Sequence, residues 1–109
     1  MHVDLQTVRR VFEDVLSGAM SREQADRWAY AVLLQEEEAG VVTHSPFHER
    51  ERIWAGVMYL YGVDTMKAPG EYLHSDDDIS AAMNAKLDEV ADSGVAILQR
   101  ASTMGRRNP

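Results

Sequence analysis

A chain of 109 residues fits one domain, and folding should bury roughly 65% of the surface its unfolded chain exposes, enough for a core without covalent staples. Its 45% apolar content argues against wholesale disorder, and the absence of cysteine excludes disulfides, thiolate metal sites and cysteine nucleophiles. Phosphate backbones select for Lys and Arg; with a formal charge of -7, and Arg106 and Arg107 set apart at the C-terminus, the body offers the opposite field and nucleic acid is not expected as a partner.

Leu5, Val8, Val11, Phe12, Val15 and Leu16 recur at three- and four-residue steps, which predicts a first helix that Ser17-Gly18 ends. Ser21-Arg22-Glu23-Gln24 matches a capping box and opens a second helix, whose inward stripe is Ala25, Trp28, Ala29, Val32 and Leu33 and which Gly40 closes. Val41-Val42-Thr43 reads as a short extended link. Ser45-Pro46 then opens a third helix, serine capping and proline taking the first helical position. Ile53, Trp54, Val57, Met58 and Tyr61 form its stripe, stopped by Gly62.

The segment from Met66 to His74 is read as an irregular loop with a turn at Pro69-Gly70. Ser75 begins the last helix, with Asp76, Asp77 and Asp78 in its first turn, where the positive end of the helix dipole favours them. Ile79, Met83, Leu87, Val90, Ile97 and Leu98 mark its inward face, and Gly94 falls on the same face. No segment alternates apolar and polar residues as a half-buried strand would. The expectation is an all-α, single-domain bundle of four main helices, mostly antiparallel, over residues 1–104, with a flexible tail at 105–109.

No motif defines an enzyme. His44 and His48 are four apart, but Pro46 falls between them and breaks a shared helical face. The string after His48 lacks the second histidine of H-E-x-x-H, and Asp76 to Asp78 form no calcium loop. No cofactor, metal or catalytic residue is therefore expected. Trp28 and Trp54 read as core, whereas Tyr30, Tyr59 and Tyr72 lie nearer stripe edges or in the loop. Glu36, Glu37 and Glu38 sit at a helix C-terminus, where negative charge opposes the dipole, and this unexplained local cost suggests solubility or a partner.

Ser21 to Ala29, then Leu60-Tyr61-Gly62-Val63-Asp64, then Pro69 to Ser75 and an aspartate-led helix follow one another in an order that resembles small all-helical bacterial immunity-type proteins of polymorphic or contact-dependent toxin systems. The resemblance implies a cytoplasmic protein that neutralises a basic toxin domain by direct binding. An acidic surface would speed such an encounter. The partner-binding candidates are Glu36, Glu37, Glu38, Asp64, Glu71, Tyr72, Asp76, Asp77 and Asp78. A regulatory or structural interaction bundle unrelated to toxins stays open as an alternative, as does a small metal-binding or enzymatic domain. The sequence has neither a signal peptide nor an apolar run of the roughly 20 residues needed for a membrane span. It leaves the oligomeric state open.

Overall fold

The computed structural model describes residues 2–88. Four helices carry the architecture: α1 at Leu5–Ser17, α2 at Arg22–Ala39, α3 at Phe47–Leu60 and α4 at Asp76–Leu87. The expected all-α fold is present, with one addition between α3 and α4. There β1 at Met66–Ala68 pairs antiparallel with β2 at Glu71–Tyr72, Met66 opposite Tyr72 and Ala68 opposite Glu71, with an irregularity in register between Met66 and Ala68. The hairpin is too short and too exposed to show an alternating pattern, and Gly70 at φ 76° makes its turn.

Local chemistry explains the helix ends. Asp4 caps α1: its Oδ1 accepts from the Thr7 amide at 2.8 Å and the Thr7 hydroxyl at 2.7 Å. Ser21 and Gln24 close a reciprocal box on α2 at 3.0 and 2.8 Å, and Ser75 and Asp78 do the same on α4. Gly18 and Gly40 end α1 and α2 in the left-handed conformation that glycine adopts without steric cost.

The start of α3 differs from expectation. Pro46 occupies the cap position and no side chain caps the helix. Ser45 is buried instead, and its hydroxyl donates to the Val3 carbonyl at 2.9 Å, tying the N-terminal strand of chain to the inter-helix turn. Val41 to His44 form a turn rather than an extended link, with Val41 and Val42 turned into the core. Burying both valines decides the conformation, because an extended path would leave one of them in solvent.

The core is continuous. Val8, Val11, Phe12 and Val15 of α1 pack with Ala25, Ala29 and Val32 of α2, Ile53, Val57 and Leu60 of α3, and Ile79 and Leu87 of α4. α1 and α3 each touch all three of the other helices. Gly56 lets α3 approach: a Cβ there would stand 2.7 Å from Val8 Cγ1 and 2.8 Å from Leu87 Cδ2. Trp28 and Trp54 are half-buried against the core rather than inside it. Val90, Gly94, Ile97, Leu98 and the tail at 105–109 lie outside the described residues.

Candidate nucleic-acid interface

The acidic residues singled out in the sequence do not form one surface patch. Glu36 turns back on the loop that follows its own helix. Its carboxylate accepts the Val42 amide at 2.6 Å and also bonds the Thr43 hydroxyl and amide. Burial raises its pKa, but the hydrogen bonds from Thr43 and Val42, with His44 nearby, outweigh this and hold it below the usual glutamate value. The local cost ascribed to Glu36 is thus offset locally. Glu37 and Glu38 stay exposed.

Tyr72 is no free anchor. It is half-buried, its hydroxyl donates to Glu23 Oε2 at 2.7 Å, and the Arg22 guanidinium lies 4.5 Å from its ring centroid. Glu23 is held below its ordinary pKa by that bond, which raises the tyrosine pKa in return. Arg22, only 13% exposed, also donates to the His74 carbonyl at 2.6 Å and to Asp76 at 2.8 Å. The first turn of α2 therefore fastens the hairpin and the start of α4 together. Asp78 is committed to its capping box, Glu71 pairs with Lys67 at 3.3 Å, and Asp64 lies near Tyr72. Asp77 is exposed.

Sequence reasoning missed Arg22, Glu23 and Asp26. The last accepts the Gly62 amide at 2.7 Å and closes the end of α3 against α2. Their positions in the first turns of a capped helix are the signal that could have found them.

The cations divide in the same way. Arg9 is taken up by Asp88, and Arg22 and Lys67 by the partners above. Arg50 and Arg52 make no ion pair among the described residues. Both stand in the first turns of α3, with exposed His44 and His48 at the same end. Arg50 lies over the Phe47 ring, 4.9 Å from its centroid, and its Nε is shielded from solvent with no acceptor among the described residues. Phe47, His48, Arg50, Glu51 and Trp54 line an open groove of about 370 Å³. His48 lies 3.9 Å from Glu49, and the described residues gather no group of three side chains able to hold a metal ion.

Arg10, Arg27 and Lys86 on the other helices are likewise outside the ion pairs of the described residues. The start of α3 differs in setting two such arginines, alternating with Glu49 and Glu51, beside exposed aromatic surface. These features describe a small helical protein. The chain belongs to the YxzC DNA-binding protein family, whose model matches residues 3–85. No curated protein and no solved structure matches it. Membership overturns the resemblance to immunity-type proteins, and with it the expected toxin partner and the expectation that nucleic acid is excluded. The physical reason is that net charge averages the whole surface, whereas phosphate contact is local. Acid here is partly consumed in caps and staples, while Arg50 and Arg52 have no carboxylate partner among the described residues. No helix among the described residues is long and apolar enough to cross a membrane.

Proposed function

We propose that this chain binds DNA through the first turns of α3 and performs no chemistry on it, acting in the cytoplasm. The observation that carries this reading is the family match across residues 3–85. Arg50 and Arg52, alternating with Glu49 and Glu51, supply the cations, and the first amides of α3, which no side chain caps, favour a phosphate oxygen through the helix dipole. His44 and His48 add donors at the same end.

The chain's net charge of -7 opposes a polyanion overall, so few phosphates are engaged. Affinity should then fall in the range of non-specific binders, about 10⁻⁴–10⁻⁶ M. Fluorescence anisotropy of labelled single- and double-stranded DNA at about 50 mM salt tests this. Binding of at least one form, weakened about tenfold by the Arg50→Gln, Arg52→Gln double variant, is expected. No binding of either form at protein concentrations well above about 10⁻⁴ M would overturn the reading.

A further inference from the structure

A face of α3 turned away from the core centre carries a stripe that is largely exposed, with Trp54 alone resting partly on the core. Phe47, Trp54, Met58 and Tyr61 stand at i, i+7, i+11 and i+14, a spacing that keeps them on one side of the helix. Phe47 is 81% exposed, Met58 and Tyr61 are also exposed, and Trp54 is half-buried. Tyr30 on α2 extends the stripe, its ring stacked on Tyr61 with centroids 6.1 Å apart and planes 17° from parallel. At the other end the Arg50 guanidinium rests on Phe47 beside the groove that Trp54 and Glu51 line. Single exposed apolar residues are ordinary, but an aromatic-rich stripe interleaved with a cation marks a binding surface.

Resting on the DNA-binding reading, we propose that this stripe is a base-stacking track for single-stranded DNA, with unpaired bases lying on Phe47 and Trp54 and Arg50 meeting the backbone. Two physical effects select a single strand over a duplex. Aromatic faces grip unpaired bases, whereas the bases of a duplex are stacked on each other and present only their edges. A single strand carries one charge per ~3.4 Å against one per ~1.7 Å of duplex axis, so an acidic body repels it less. Glu51 in the same groove can accept from an exocyclic base amine of either form. A second copy of the chain is the competing occupant, disfavoured because the family match points to DNA.

The test compares the full chain on a labelled single strand of about 15 nucleotides and on the matched duplex, at equal salt. The single strand should bind about tenfold tighter. Phe47→Ala should weaken it roughly fivefold or more, and Phe47→Tyr should restore it. Circular dichroism of both variants should match the parent, since the ring is exposed. A duplex bound as tightly as the single strand, or a Phe47→Ala variant with undiminished single-strand affinity, would overturn the track while leaving DNA binding intact. Failure to bind either form would remove both readings. A chain that sediments as a dimer, is dissociated by Phe47→Ala and binds no single strand would assign the stripe to a second copy and overturn it as well.

Discussion

At the residue scale, short polar side chains decide where the helices begin, and carboxylates do much of that work. Asp4→Ala should cost about 1 kcal/mol in chemical denaturation, the usual loss for a helix N-cap. Hydrogen bonds from the Thr7 hydroxyl and amide hold the Asp4 carboxyl below its ordinary value of 3.8, and Glu23 and Glu36 lie below theirs of 4.5. Each therefore holds its proton less readily folded than unfolded. The stability they contribute is present above the unfolded values and is lost as pH falls through the folded ones. Thermal melts from pH 7 down to pH 2 should show a falling midpoint that begins near pH 4.5, shallower in Asp4→Ala. A midpoint flat across that range would contradict the hydrogen bonds described. The Ser21 box was legible because donor and acceptor lie three residues apart. At Ser75 the cap and the acidic first turn were legible, but not the return bond that singles out Asp78 among three aspartates. Glu36 was not, because its partners lie six and seven positions on, in a turn whose path depends on burying Val41 and Val42.

At the element scale, the four helices could be read from apolar periodicity, since each of the four inward stripes supplies buried core residues, although Met58 and Tyr61, read as part of the third stripe, are exposed. The hairpin could not: two strands of three and two residues leave too little pattern, and they are held by Arg22 and Tyr72 across more than forty positions of sequence. Ser45 misled for a similar reason, since its partner is the distant Val3 carbonyl and not the next helical amide. The close approach of α1, α3 and α4 at Gly56 carries its own prediction. Alanine favours a helix by up to ~1 kcal/mol over glycine, yet its methyl would press on Val8 and Leu87. Overpacking of this kind costs about 1–3 kcal/mol. Gly56→Ala should therefore lower the melting temperature, and Gly56→Ala with Val8→Ala should recover part of the loss. A stabilised single variant would show that the helices part more easily than their packing indicates.

At the scale of the whole molecule, a net charge of -7 points away from nucleic acid, whereas family membership points towards it. The conflict resolves once charge is followed residue by residue. Carboxylates on α2 and α4 are spent on Arg22, Tyr72, Val42 and the helix caps, while the first turns of α3 keep two arginines beside exposed aromatic surface. Composition cannot report this, because the division depends on which side chains the fold brings together. Amide chemical-shift mapping of the full chain during titration with a DNA oligonucleotide tests the claim most directly. The account predicts saturable shifts concentrated from His44 to Trp54, with residues 76–78 of α4 and the hairpin unmoved. Shifts confined to α4 and the hairpin, or none at saturating DNA, would contradict it.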